Sequence, residues 1–178
     1  MSFFQAHPDP QIASIVSELT SQLRRLSEQP NELLAALQAN RPLPTGDLPE
    51  GQSPDELYQI AARLCDAGEF AHALPIALHL AGRPEREARY AFLAGSCLQR
   101  LDHPHVALGM FGLSTINEAE SPTPGPLLRS GECLAAMGLN DRAIEAFEAA
   151  VEIARSDSEY AQLQDIALEK AALLRNAH

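Results

Sequence analysis

The chain has no tryptophan, and only 5% of its residues are aromatic. Basic residues are scarce too: 13 Lys and Arg stand against 24 Asp and Glu, for a formal net charge of −11. No basic cluster offsets that charge. Nucleic acid and anionic membrane surfaces are bound through Lys/Arg patches, so neither is expected as a partner. Long hydrophobic runs are missing. No stretch approaches the roughly 18 uninterrupted apolar residues of a membrane span, so direct membrane binding is not expected. The opening residues, MSFFQAHPDP, show no basic segment followed by a long apolar run. No secretory signal is readable, and a cytoplasmic location is the expectation. Cysteine is limited to Cys65, Cys97 and Cys133, with no C-x-x-C. An odd number without a signal suggests free thiols that pack as small apolar residues, and a metal needs ligands converging at short spacing. His72 and His79 stand two turns apart, too far for one metal. No phosphate-cradling G-x-x-x-x-G-K-S/T, H-E-x-x-H or G-x-S-x-G occurs. The carboxylates of Glu118, Glu120, Glu145, Glu148, Glu152, Asp157 and Glu159 are scattered over helix surfaces. No catalytic constellation, metal or cofactor is expected, and an enzyme is disfavoured.

What the chain does have is a repeat. Leu57, Ile60, Ala61, Leu64, Ala73 and Ala77 have the same internal spacing as Ala91, Ala94, Gly95, Leu98, Ala107 and Phe111. Leu127, Ser130, Gly131, Leu134, Ala143 and Phe147 follow suit. The anchoring alanines Ala73, Ala107 and Ala143 lie 34 and then 36 residues apart. A period near 34 with this order of small and apolar residues is the tetratricopeptide pattern. The expected fold is therefore all-α: three tetratricopeptide helix pairs in a concave superhelical stack, with N-terminal amphipathic helices and a C-terminal capping helix. Hydrophobic residues make up 46% of the 178, enough for a core.

Residues 1–8 read as a mobile tail. Asp9-Pro10 is a helix start, and Ile12, Ile15, Val16, Leu19, Leu23 and Leu26 share one face of a helix of about five turns. A short helix over 31–39 carries Leu33, Leu34 and Leu37. Residues 40–54, NRPLPTGDLPEGQSP, read as an extended linker. The boundary predicted on these grounds separates an N-terminal helical region and linker, 1–52, from a repeat domain, 53–178. Ser53 to Glu56 is a capping box. Pro75 should kink its helix. Gly109 and Gly112 suggest close approach of a neighbouring backbone, with flexibility of the groove wall as the other reading. Residues 121–126 are the longest break between repeats. The final helix, about 158–175, should carry a polar outer face as a cap.

Helical phase assigns the surface of the concave groove to the first helix of each pair. The predicted groove residues are Tyr58, Ala62, Cys65 and Asp66; Arg89, Phe92, Ser96, Gln99 and Arg100; and Leu128, Glu132 and Ala135. This mixture suits an extended apolar peptide with polar edges. Co-chaperones that grip an acidic C-terminus use a clamp of Lys and Asn along these helices. Tyr58 and Ala62 hold the corresponding places here, so that clamp is missing.

Three segments are more particular: LYQIAARLCDAGEFAHAL, RYAFLAGSCLQRLDHPHVALGMF and LLRSGECLAAMGLNDRAIEAFEAAVEI. With Gly95-Ser96-Cys97, the Gly131 to Leu134 segment and Asp157 to Tyr160, they resemble the class II chaperones of type III secretion systems, of the LcrH/SycD type. The resemblance implies a bacterial cytosolic protein that holds two hydrophobic secreted translocator proteins, one at a time or through separate sites. The clients would insert a short segment containing proline and leucine into the groove. It also implies that the N-terminal helix region supports a homodimer. Two readings of the Ile12–Leu26 stripe stay open: it packs on the repeats, or Ile12, Ile15, Leu19 and Leu23 form the dimer contact. The tether makes the dimer contact the preferred one. Pro42-Leu43-Pro44 and Leu48-Pro49 are candidates to occupy a groove when no client is present. The alternative function is a scaffold joining stable protein partners.

Overall fold

The computed structural model describes residues 6–29, 31, 32, 35, 46–118 and 120–176. Most of the expected helix over 31–39, including Leu33, Leu34 and Leu37, lies outside the described residues, as do Pro42, Leu43 and Pro44. Among the described residues the regular structure is helical. The chain divides into two compact units, Met1–Cys97 and Leu98–His178.

The first unit holds α1 (Pro10–Ser27), α2 (Pro54–Asp66), α3 (Phe70–Ala81) and most of α4 (Ala88–Arg100). Asp9 caps α1, its side chain accepting from the Gln11 N–H at 2.8 Å, and Pro10 needs no N–H at the first helical position. The capping box of α2 is complete. The Glu56 N–H donates to Ser53 Oγ at 3.2 Å, and the Ser53 N–H donates to Glu56 Oε2 at 2.7 Å. The stripe of α1 packs on α3, where Ala73, Ile76, Ala77 and Leu80 are buried. Ile15, Val16, Leu19 and Leu26 are covered by this one chain, while Ile12 and Leu23 stay half-buried. Each buried leucine or isoleucine contributes about 1.5–3 kcal/mol. Of the two readings of the stripe, packing on the repeats is thus realised for Ile15 and Leu19. Leu48 and Pro49 also lie near α1, since Gln22 Nε2 donates to the Asp47 carbonyl at 3.1 Å.

One expectation changes here. His7 is anchored rather than part of a mobile tail: its Nε2 lies 3.2 Å from Glu69 Oε2, which also meets His72 Nδ1 at 3.1 Å. The start of α3 thereby supplies a partner that local sequence did not suggest. Pro75 lies inside α3, which runs from Phe70 to Ala81, and is buried there.

The second unit holds α5 (Pro104–Asn117), α6 (Pro124–Ala136), α7 (Asn140–Ala154), a 3₁₀ turn (Ser158–Tyr160) and α8 (Ala161–Asn176). α6 packs on α5 and α7, and α8 closes on α7. Leu128, Leu134, Ala143, Phe147, Ala150, Val151, Ala167 and Ala171 form its core. The break over 121–126 is shorter than expected, because α6 starts at Pro124. Pro124 and Pro126 fall in the first turn, where a missing N–H costs nothing, and both are buried there. Gly109 and Gly112 have open space where a Cβ would stand, so no backbone approaches them closely. α8 carries two exposed leucines, Leu168 and Leu173, at 45% and 62%.

Candidate peptide-binding surface

α2 and α4 lie side by side and run the same way. Near their starts the Tyr58 and Tyr90 rings meet with centroids 5.9 Å apart. Near their ends Cys65 Sγ lies 3.3 Å from Cys97 Sγ. Both contacts join residues 32 apart, so the two helices keep one register along their length. On α2, Tyr58, Ala62 and Cys65 share a face by helical spacing. On α4, Arg89, Phe92 and Ser96 do the same. All six are half-buried. Helical residues in that state are neither core nor free surface, and together they form a wall across the two helices.

Arg89 is the fixed polar point of this wall. Its guanidinium pairs with Asp55 of α2 and with Glu87. The same group sits 4.8 Å from the Tyr58 ring centroid and 5.2 Å from that of Tyr90. The hydrogen bond that Arg89 donates to Glu87 leads the causes that hold the guanidinium's pKa above its ordinary value. Cation–π contact and ion pairing thus set the rotamer of Tyr58 from two sides. Tyr90 itself is buried, 1% exposed, and supports Tyr58 rather than offering surface. Lower on α4, Ser96 Oγ donates to the Phe92 carbonyl at 2.9 Å, which turns the hydroxyl back onto its own helix.

In the second unit, Gln99 and Glu132 come together. Gln99 Nε2 donates to Glu132 Oε2 at 3.0 Å. Arg129 Nη1 donates to the same oxygen at 2.9 Å, and Lys170 Nζ of α8 stands 3.1 Å from Oε1. Burial pushes the Glu132 carboxyl up, but the hydrogen bonds from Arg129 and Gln99, with Lys170 beside them, outweigh it. The carboxyl is held below its ordinary range. Leu128, expected on the groove, is instead a core residue, 5% exposed, because α6 turns it toward Phe147 and Val151 of α7.

Helical phase found most of these positions but missed their partners. Asp55 and Arg89 stand 34 residues apart, one repeat period. Opposite charges at equivalent places in successive units are a readable signal of such a pair. Gln99 and Glu132 carry no such signal: Gln99 is uncharged, and at the 36-residue spacing of the last two repeats its equivalent is Ala135. Lys170 left no such trace, since it comes from outside the repeats. Among the described residues no group of His, Cys, Asp and Glu could hold a metal ion, and no helix is long and apolar enough to cross a membrane.

No family model matches the chain, and no curated protein matches it in sequence. Solved structures do match in fold. PcrH of Pseudomonas aeruginosa, in complex with the chaperone binding region of PopD, superposes with a TM-score of 0.66 at 23% identity, covering 71% of this chain and 96% of that one. The Yersinia enterocolitica type III secretion translocator chaperone SycD, in a structure called an alternative dimer, gives 0.66 at 18% identity, covering 72% and 98%. SycD in complex with a peptide of the translocator YopD gives 0.65 at 18% identity over the same shares. At these identities the likeness is one of fold, and the fold is that of translocator chaperones.

Proposed function

We propose that this protein is a cytosolic chaperone of type III secretion, non-catalytic, that binds extended segments of hydrophobic translocator proteins and keeps them soluble for export. The observation that carries this reading is the α2–α4 wall, where Tyr58, Ala62, Cys65, Arg89, Phe92 and Ser96 are all half-buried, in a chain with the fold of PcrH and SycD. Both of those proteins have been seen with translocator segments. An extended client lays apolar side chains against Tyr58, Phe92 and Ala62, while Arg89 meets its polar edge. Each large side chain that is buried contributes about 1.5–3 kcal/mol before ordering costs. Residues 53–178 form the repeat domain that binds, and residues 1–52 form the N-terminal region that sets oligomeric state. The clients are two apolar, membrane-active secreted proteins.

The test is capture of the protein from its native cytosol, with mass spectrometry of what accompanies it. Two apolar secreted proteins should co-purify with the wild type. They should be lost from Phe92→Glu and Tyr58→Ala, with helical signal and melting temperature close to wild type. Partners that stay with the protein in a membrane-anchored assembly after export would indicate a scaffold instead. Collapse of the fold in both variants would make Tyr58 and Phe92 core residues.

A further inference from the structure

Cys65 and Cys97 have free thiols with their sulfurs 3.3 Å apart, one near the end of α2 and one on α4. The two helices hold this register at a second point, Tyr58 with Tyr90, so the sulfurs meet because of the helix pairing. We propose that Cys65 and Cys97 form a reversible intramolecular disulfide, making this pair an oxidant-responsive modification site on the α2–α4 wall. Bringing the sulfurs to a bond length of about 2.05 Å requires an approach of about 1.2 Å, a small side-chain rotation.

The two thiols differ in the way such chemistry needs. Cys65 is half-buried and open to a small oxidant, whereas Cys97 is fully buried. The hydrogen bond from Cys97 holds the Cys65 thiol below its ordinary range, against burial and the Asp66 charge, which push it up. The same hydrogen bond, then burial, push Cys97 up. The thiolate forms on the accessible sulfur, with a resolving thiol already against it. Hydrogen peroxide is the oxidant class. The Cys65 thiolate attacks one peroxide oxygen, the O–O bond breaks, hydroxide leaves, and Cys65 becomes a sulfenic acid. The Cys97 thiol then attacks that sulfur. The S–S bond forms, the S–O bond breaks, and the oxygen departs as water with the thiol proton. Two thiols lose two electrons, and one peroxide is reduced to two waters. Cys133 is the internal control: it is buried, burial pushes its pKa up to about 11, and it has no sulfur partner. In the second unit, Gln99 takes the place equivalent to Cys65 and reaches Glu132 instead. Only the first unit carries the pair.

The disulfide does not depend on what the wall binds. The experiment treats the full-length protein with equimolar hydrogen peroxide, traps remaining thiols with N-ethylmaleimide, and maps the digest by mass spectrometry. Expected is the loss of two of the three alkylation sites in monomeric protein, one Cys65–Cys97 linked peptide pair, alkylated Cys133, and full recovery with dithiothreitol. Cys65→Ser should leave Cys97 and Cys133 unoxidised in a chain of unchanged helicity, which keeps the test decisive if a Cys97 variant fails to fold. Oxidation of Cys65 to sulfinic acid with Cys97 still free, linkage to Cys133 or to a second chain, or equal oxidation of Cys97 in Cys65→Ser, each overturns the proposal.

Discussion

Gly131 has no room for a methyl group: a Cβ there would lie 2.5 Å from Cε1 of Phe147. That ring is 2% exposed in the core of the second unit and has nowhere to move. Gly131→Ala should therefore destabilise by about 1–3 kcal/mol, and Phe147→Leu in the same chain should recover part of the loss. Gly109 is the opposite case. It lies inside α5 with open space around it, so Gly109→Ala should stabilise by about 0.5–1 kcal/mol through helix propensity alone. Denaturant midpoints at a common slope separate the two. Glu132 supplies a pH signature. Its folded pKa is depressed by Arg129, Gln99 and Lys170 despite burial. Such a carboxyl contributes stability that is complete above its unfolded pKa, about 4.3, and is lost as pH falls through the folded value. Glu132→Gln should cost about 1–2 kcal/mol near neutrality, and the gap to wild type should close below about pH 4. Urea unfolding at several pH values reads this directly. A gap that persists in acid would mean the charge is not what holds Gln99, Arg129 and Lys170 together.

At the scale of elements, the repeat is written in the backbone as well as in side chains. Gly68 and Gly138 end α2 and α6 with φ of 78° and 74°, and Asp102 ends α4 with φ of 62°. These residues lie 34 and 36 apart. After each one the next N–H reaches back to the last turn: Glu69 to Leu64 at 2.8 Å, His103 to Leu98 and Leu139 to Leu134 at 2.9 Å. This is one left-handed helix stop used three times, twice with the residue that suits it. Asp102→Gly should raise the melting temperature slightly, and Gly138→Ala should lower stability by about 1–2 kcal/mol. A null result at both would mean that these turns relax without cost. Punctuation at helix starts was legible in advance, because proline and capping residues act locally: the starts at Asp9-Pro10 and at Ser53 to Glu56 were both readable. Features set by distant partners were not. Leu128 turns inward and His7 finds Glu69, each through contacts that no spacing encodes. The wall was readable as helix faces. Its fixed geometry, from Asp55 through Arg89 to Tyr58, was not.

For the whole molecule, the open issue is how an acidic chain of net charge −11 presents its remaining apolar surface. The α1 stripe is mostly spent inside the chain. Leu19 and Ile15 are 0% and 5% exposed against α3, so they anchor the helix and have no surface left to give. Ile12 and Leu23, toward its two ends, keep part of theirs. If the protein dimerises as proposed, and SycD has been seen as a dimer, the contact runs through Ile12 and Leu23 while Ile15 and Leu19 hold α1 in place. Sedimentation velocity tests this division of labour. Ile12→Glu with Leu23→Glu should shift the protein to monomer at unchanged helicity, since both side chains keep part of their surface exposed. Leu19→Ala should behave differently, losing about 2–5 kcal/mol of stability with dimerisation weakened only as far as α1 detaches. A dimer that survives both glutamates, yet dissociates on Leu19→Ala at full helicity, would mean that α1 leaves α3 and pairs with its copy through the whole stripe.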